Sequence, residues 1–171
     1  MDLFHVSEES EIERFEPRPP PSPDSGISYP AVFAIGDNLL HNYLLPRDCP
    51  RVTFYAGPET SEADRQRFHF SAQHVVAVES SWLARIRATM LYCYRLPLDT
   101  FTCIDEVASY YASRSAVIPL SVWQVDDVLK ALLDRDVELR FVKSLWPLHD
   151  AVAASSLQFS MIRMRNAAPR E

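Results

Sequence analysis

Short runs of alternating apolar and polar positions dominate the chain. In residues 3–7 (LFHVS), Phe4 and Val6 fall on one face and His5 on the other, which is the period of a β-strand. Similar or wholly apolar runs predict further strands at 31–35, 51–56, 74–78, 91–96, 101–104, within 109–120, at 137–142 and from 157 onward. Strands therefore outnumber helices in the predicted fold.

Helical spacing occurs at a few places between these strands. Asp37 is positioned to cap one helix, Ser80 or Ser81 a second, and Pro147 suits the first turn of another. Ser121 is predicted to begin the clearest helix, whose apolar residues share one face: Val125, Val128, Leu129 and Leu132. The order of elements predicts an α+β fold with mixed, mainly antiparallel sheets and three to five short helices.

A proline-rich segment interrupts this pattern at 16–30 (EPRPPPSPDSGISYP). Its six prolines cannot join a central sheet and favour an extended path over the surface. We expect a long surface loop within a single domain spanning 1–171. The same segment is also suited to docking a protein partner, which is an alternative function for the chain.

Composition is that of a globular protein that stays inside the cell. Of the 171 residues, 47% are hydrophobic and 23% charged, enough to form one core. No apolar run reaches membrane-helix length, and the first residues are acidic rather than basic and then apolar, so we expect a cytoplasmic protein without membrane association. Three widely spaced cysteines, Cys49, Cys93 and Cys103, are predicted to be reduced thiols.

Scarcity of glycine excludes several enzyme classes. Only Gly26, Gly36 and Gly57 occur, so neither the dinucleotide-binding nor the P-loop phosphate cradle can be built. The chain lacks GxSxG and HExxH motifs, and its histidines do not form a helical i, i+4 pair. We therefore predict no protein-built transition-metal site.

Arginine dominates the basic residues. The chain holds 15 arginines and two lysines, with a net charge of −6, which disfavours nonspecific binding to duplex nucleic acid. The planar guanidinium suits phosphate or carboxylate, so an anionic small molecule is a plausible ligand. The alternative is a genomic base composition that favours arginine codons.

Two segments collect side chains suited to a nucleotide-like ligand. Residues 42–55 (NYLLPRDCPRVTFY) combine ring faces with guanidinium groups. The alternative is a loop network of Arg47 and Asp48 with buried tyrosines. Near the end, the apolar positions change parity at Met161, which predicts a bulge or bend. The candidate binding residues of these segments are Tyr43, Arg47, Arg51, Tyr55, Arg163, Arg165 and Asn166.

Each of these residues also has a structural interpretation. The arginines of the closing segment can pair with carboxylates on a neighbouring strand instead of binding phosphate. His5 can be a hydrogen-bonded structural histidine instead of a ligand contact. The carboxylates that could serve catalysis, Glu79, Asp105 and Glu106, lie next to predicted strands, where solvated surface carboxylates are also common.

Three segments resemble a family of uncharacterised bacterial proteins: LFHVSE followed by IERFEPRP, then NYLLPRDCPRVTFY, then IRMRNA. This resemblance covers nearly the whole chain and implies no assigned activity.

A looser similarity concerns the first strand with its histidine (LFHVS) and the second strand with its helix (VFAIGDNLLHNYL). This order is similar to the start of the ADP-ribosyltransferase-like fold. The resemblance implies NAD as cofactor and transfer of ADP-ribose, with His5 contacting ribose, Tyr43 stacking on nicotinamide and Glu106 as the acidic residue. It also implies that Arg18, Arg47 or Arg51 lies near the phosphates. The expected place for the acidic residue holds Ser113 and Arg114, so a noncatalytic binding module is the alternative.

Overall fold

The computed structural model describes residues 1–20 and 26–170 and divides the chain into two compact units. Unit 1 comprises Met1–Tyr43 and Met90–Asp126, and unit 2 comprises Leu44–Thr89 and Asp127–Glu171. The middle of the proline-rich segment, residues 21–25, lies outside the described residues. The predicted single domain and protein-docking loop stay predictions.

Each unit is built on a sheet, and short helices lie between the strands of the chain, which confirms the predicted α+β class. The strands of the described residues are β1 (Leu3–Ser7), β2 (Val32–Gly36), β3 (Arg51–Tyr55), β4 (His74–Glu79), β5 (Leu91–Leu96), β6 (Thr102–Asp105), β7 (Tyr110–Ser113), β8 (Ser121–Val125), β9 (Val137–Val142) and β10 (Gln158–Ile162). The α-helices are α1 (Glu62–Phe68), α2 (Leu83–Ala88), α3 (Val128–Leu133) and α4 (Trp146–Ala153). Short 3-10 helices occupy Asp37–Tyr43, Ser80–Trp82 and Met164–Asn166.

Unit 1 is built on a six-stranded sheet in the order β6-β7-β2-β1-β5-β8, with every described pair antiparallel. Leu3 and Phe4 of β1 point to opposite faces and are both buried, so both faces of this strand are covered at its start. Phe15 helps to cover one face, and its backbone exchanges hydrogen bonds of 2.8 and 2.9 Å with Val117. The Tyr94 hydroxyl donates to the Glu9 carbonyl at 2.6 Å, which fixes this covering segment to β5.

Unit 2 is built on a four-stranded mixed sheet in the order β10-β3-β4-β9. The pairs β10–β3 and β3–β4 are antiparallel, and β4–β9 is parallel. A central strand of a parallel pair is usually apolar on both faces, and β4 is buried from Val75 to Glu79. The core of this unit consists of Val52, Phe54, Phe68, Val75, Ala77, Leu145, Val152 and Leu157.

The prediction of a helix that begins at Ser121 is wrong for the first half of that segment. Residues Ser121–Val125 form strand β8, which pairs with β5, and α3 begins only at Val128. Asp127 caps it by accepting from the Lys130 amide at 2.9 Å. The β-branched and aromatic residues of β8 favour a strand, and the i, i+4 spacing of Val128 and Leu132 belongs to α3 alone.

The parity change near the end of the chain produces a bend rather than a bulge. Strand β10 keeps continuous register with β3 up to the pair Ile162 and Arg51. Arg163 then adopts a left-handed conformation with φ 56°, an uncommon state for a residue other than glycine. The chain turns there into the 3-10 helix Met164–Asn166.

Gly36 permits a close approach between the end of β2 and the hairpin that joins β6 to β7. Its amide donates to the Ser109 carbonyl at 2.9 Å. A Cβ at this position would lie 2.2 Å from Ser109 Oγ and 2.8 Å from Asn38 Oδ1. No side chain fits there without moving the hairpin.

We expect Gly36→Ala to destabilise the protein by about 1–3 kcal/mol, because it forces atoms into a filled space. Urea unfolding followed by circular dichroism measures this loss. Gly57→Ala is the matched control, because its Cβ would meet the movable Gln158 side chain at 2.7 Å. Equal losses for the two variants would contradict this account.

Helix α1 begins in a hydrogen-bond network around Asp64. Asp64 Oδ2 accepts from the Ser156 amide at 2.8 Å and from the Ser156 hydroxyl at 2.6 Å. These bonds, with a further one from Ser61, hold the pKa of Asp64 below its usual value of 3.8. Ionised Asp64 therefore stabilises the folded state.

The stabilising effect of Asp64 should be present above its unfolded pKa and lost as the pH falls through its lower folded pKa. We expect Asp64→Asn to flatten the fall in urea midpoint below about pH 4. Urea titrations at a series of pH values measure the slope. Glu59→Gln removes an exposed carboxylate outside this network and should leave the slope near that of the wild type.

Candidate functional site

A cavity of about 520 Å³ opens at one end of the unit 1 sheet. Its lining residues are Met1, Asp2, Asp37, Asn38, Cys103, Glu106, Ser109 and Tyr111. Antiparallel pairing of Leu3 with Gly36 places the start of β1 beside the end of β2. The Asp37 amide donates to the Asp2 carbonyl at 3.1 Å, so the two aspartates lie side by side at the mouth.

The phenol of Tyr111 forms part of the cavity wall. Its hydroxyl donates to Met1 Sδ at 3.0 Å, and its strand neighbour across the β6–β7 pair is Cys103. Burial, and then the neighbouring Cys103, raise the pKa of Tyr111 above its usual value of 10.0. The phenol therefore stays protonated near neutral pH and can donate a hydrogen bond.

The hairpin between β6 and β7 holds Glu106 at the cavity. The Ser109 amide donates to the Glu106 carbonyl at 3.2 Å, and the Ala108 amide donates to Asp105 Oδ1 at 2.9 Å. Ser109 takes a left-handed conformation with φ 49° and donates to Asn38 Oδ1 at 2.7 Å. The turn that carries Glu106 is thus fixed by several hydrogen bonds.

The cavity has an acidic lining. Asp2, Asp37 and Glu106 contribute carboxylates, and Arg95 pairs with Asp2 at 2.8 Å. Such a lining attracts cations, accepts hydrogen bonds from hydroxyl groups and repels phosphate. An exposed carboxylate such as Glu106 can also act as a base or face a developing positive charge.

His5 lies on β1 but does not line this cavity. Its Nδ1 lies 2.9 Å from the Phe33 carbonyl, and its ring centroid lies 4.7 Å from that of Phe15. Strands β1 and β2 pair at Leu3–Gly36 and at Phe4–Ile35. His5 lies just beyond these pairs, and its side chain contacts a carbonyl of β2. This is how a structural histidine is held, and the ribose role of His5 stays a prediction.

Two other predicted residues of unit 1 also lie away from the cavity lining. Tyr43 ends the 3-10 helix that begins at Asp37. Arg18 is exposed and forms an isolated β-bridge with Ala31. Of the four predicted site residues in unit 1, the cavity holds Glu106; the roles predicted for the others stay predictions.

In unit 2 the structure brings together most of the predicted arginine cluster. Three successive carbonyls of the turn at 46–49 accept side-chain hydrogen bonds. Arg51 Nη1 donates to Pro46 at 3.4 Å, Arg163 Nε to Arg47 at 3.2 Å, and Asn166 Nδ2 to Asp48 at 2.8 Å. The turn that carries Arg47 is therefore held against the turn at 163–166.

The remaining two predicted residues of unit 2 differ in position. Arg165 is exposed within the same short 3-10 helix. Tyr55 lies at the other end of β3 from Arg51, where its ring contacts His74 with centroids 5.1 Å apart. Arg51 itself is only 2% exposed, so it acts inside the unit rather than at its surface.

Sequence reasoning missed most of the cavity. Asp2, Asp37, Cys103 and Tyr111 carry no motif, and only Glu106 was predicted. A usable signal was present, because each of the two aspartates lies next to a strand end. If β1 and β2 are assumed to pair antiparallel, those ends meet at the same edge of the sheet.

The structure defines an α+β protein with a cavity at the end of its larger sheet, lined in part by three acidic residues. A family model matches residues 4–167, and the chain belongs to that family, DUF6886, described as a family of unknown function. This confirms the uncharacterised family indicated by the sequence. Comparison with curated proteins and with solved structures finds no match, and the similarity to ADP-ribosyltransferases is not confirmed.

Two further findings concern only the described residues. No helix there is long and apolar enough to cross a membrane. Within the same residues, no group of three or more His, Cys, Asp or Glu side chains is placed to hold a metal ion.

The three cysteines should differ sharply in reactivity. Cys103 is exposed in the cavity, whereas Cys49 and Cys93 are fully buried. Burial raises the pKa of the Cys49 thiol to about 11, which further suppresses the reactive thiolate.

At pH 8 we expect one thiol per chain to react rapidly with a disulfide reagent and all three after unfolding. Cys103→Ser should abolish the rapid phase, and a rapid phase that survives would contradict the assignment.

Proposed function

We propose that the protein binds a ribose-containing ligand of the NAD class in the unit 1 cavity, through the cationic nicotinamide-riboside part. The observation that carries the proposal is the acidic lining formed by Asp2, Asp37 and Glu106. Carboxylates accept hydrogen bonds from ribose hydroxyls and attract the positively charged pyridinium ring. The cavity volume of about 520 Å³ falls in the usual range for small-molecule sites.

The polar residues beside the carboxylates give the cavity directional contacts. Tyr111 supplies a protonated phenol and a ring face, and Asn38 supplies an amide at the mouth. An aromatic face and a carboxylate together suit a flat cationic ring. The phosphates of the ligand would be repelled by the carboxylates, so the riboside end is the part that enters.

Glu106 is the candidate for chemistry on such a ligand. When the bond between ribose C1′ and nicotinamide breaks, the nicotinamide leaves with the bonding electrons and positive charge develops on the ribose. A carboxylate beside that charge stabilises it. The acceptor oxygen then bonds to C1′, and its proton passes to Glu106 as general base. Together these steps transfer ADP-ribose from NAD to the acceptor.

Calorimetric titration with nicotinamide riboside, NAD and ADP-ribose tests the proposal. We expect nicotinamide riboside to bind more tightly than ADP-ribose, because only the former carries the cation. Glu106→Gln should weaken the nicotinamide riboside affinity about tenfold, since it removes a charge and an acceptor.

Glu11→Gln is the matched control for that titration. Glu11 is an exposed glutamate of unit 1 that does not line the cavity, so its loss should leave the affinity within about twofold of the wild type. Absence of saturable binding at millimolar concentrations of all three ligands would overturn the proposal.

A second candidate function is capture of an anionic ligand by unit 2. The observation that favours it is the pair of turns that holds Arg47 and Arg163 together, with exposed Arg165 beside them. Under this alternative, ADP-ribose binds more tightly than nicotinamide riboside, and Arg165→Ala weakens it. The same titration therefore separates the two candidates by the rank order of the ligands.

A further inference from the structure

Residues 167–170 of unit 2 lie over α4 without forming a helix or a strand. Both backbone groups of Ala168 are bound by side chains. Its amide lies 3.1 Å from each carboxylate oxygen of Glu79, and its carbonyl accepts from the Trp146 indole at 2.6 Å. One residue of the segment is thus recognised through its main chain.

The segment is recognised a second time through Arg170. Its guanidinium lies over the Trp146 ring, 4.5 Å from the centroid, and Arg170 Nη2 lies 2.6 Å from Asp150 Oδ1. Pro169 stands between the two contact points, fixes an extended backbone and has no amide to satisfy. The contacts therefore recognise the main chain of Ala168 and, two residues further on, the guanidinium of Arg170.

Because of Glu79, the surface beneath residues 167–170 is more stable when a peptide segment covers it. Its side chain is buried, with 2% exposure for the residue, and it also accepts from the Leu145 amide at 3.4 Å. A buried carboxylate is costly without hydrogen-bond donors. If residues 167–170 dissociate from this surface, Glu79 loses the amide donor of Ala168. The amide of another peptide can take its place.

The outer contact is weak enough to exchange. Arg170 and Asp150 each have 55% of the side chain exposed, and an exposed ion pair or cation–π contact changes affinity by no more than several-fold. His149 Nδ1 also lies 2.9 Å from Asp150, so the carboxylate keeps a partner when the arginine departs. Strand β10 ends before this segment, at Ile162, so release does not require a strand to break.

We infer that Glu79, Trp146 and Asp150 form a peptide-binding groove, occupied in this structure by residues 167–170. Its external ligand is an extended basic peptide of another protein that presents a main-chain amide and carbonyl and, two residues further on, an arginine. Recognition combines main-chain hydrogen bonds with a specific side-chain pocket, as in other extended-peptide sites. This inference concerns unit 2 and is independent of the ligand proposed for unit 1.

A fluorescein-labelled peptide with the sequence of residues 166–170 (NAAPR) tests the groove by fluorescence anisotropy on the full chain. In the wild type the bound segment competes at a high effective concentration, which suppresses binding of the free peptide. Arg170→Ala weakens the competitor, and we expect it to lower the apparent Kd of the peptide at least about fivefold.

Three controls make the result decisive. Arg87→Ala changes an exposed arginine of α2 in unit 2 and should bind the peptide as the wild type does. Replacement of the peptide's own arginine by alanine, or addition of Asp150→Asn to the Arg170→Ala chain, should weaken binding about fivefold or more. Circular dichroism confirms that each variant is folded, and Glu79 is left intact because its loss also threatens folding.

If Arg170→Ala and Arg87→Ala give the same affinity, or if no saturable binding is reached with millimolar peptide, the groove is only a structural tie for residues 167–170. Either result overturns the inference. Retention of peptide binding in the chain with both Arg170→Ala and Asp150→Asn would overturn the arginine pocket in the same way.

Discussion

The antiparallel pairing of Leu3 with Gly36 is the constraint on which the unit 1 cavity depends. It brings the start of β1 and the end of β2 to one edge, so Asp2 and Asp37 become neighbours. Because Gly36 has no side chain, the hairpin bearing Glu106 and Ser109 can pack against that edge. The cavity is therefore a consequence of register: a slip of one residue would turn these side chains to the opposite face.

A different constraint organises unit 2, where charged groups are buried. Arg51 and Glu79 are each 2% exposed. Both act on the pKa of the Cys49 thiol, which Arg51 lowers and Glu79 raises. Arg51 donates to the carbonyl of nearby Pro46, and Glu79 accepts from the amides of Leu145 and Ala168, which are distant in the chain. Buried charge of this kind is costly unless its partners are in place, so these residues specify how the loops close over the sheet.

Alternating and apolar runs along the chain were sufficient to predict the strands other than β8, but not the site. The run at 3–7 and the apolar run at 74–78 became β1 and β4 because period and burial agree. The helix predicted from Ser121 failed because Val125 matched both a strand and a helical spacing, and pairing with β5 decided in favour of the strand. Sequence reasoning found Arg47, Arg163 and Asn166 because they lie in two compact segments. It missed Asp2 and Tyr111, since only tertiary pairing brings residues so far apart in sequence into one cavity.

Each unit is assembled from two separated stretches of chain, with a consequence for how the protein forms. The sheet of unit 1 has all its strands once Val125 has been made, whereas the unit 2 sheet waits for β9 and β10. During synthesis the first sheet can close while β3 and β4 still lack two of their partners. Closing the loop between β4 and β9 then requires long-range contacts, which form slowly. Neither unit corresponds to a continuous fragment of the chain, so a single cut cannot isolate either of them from the other.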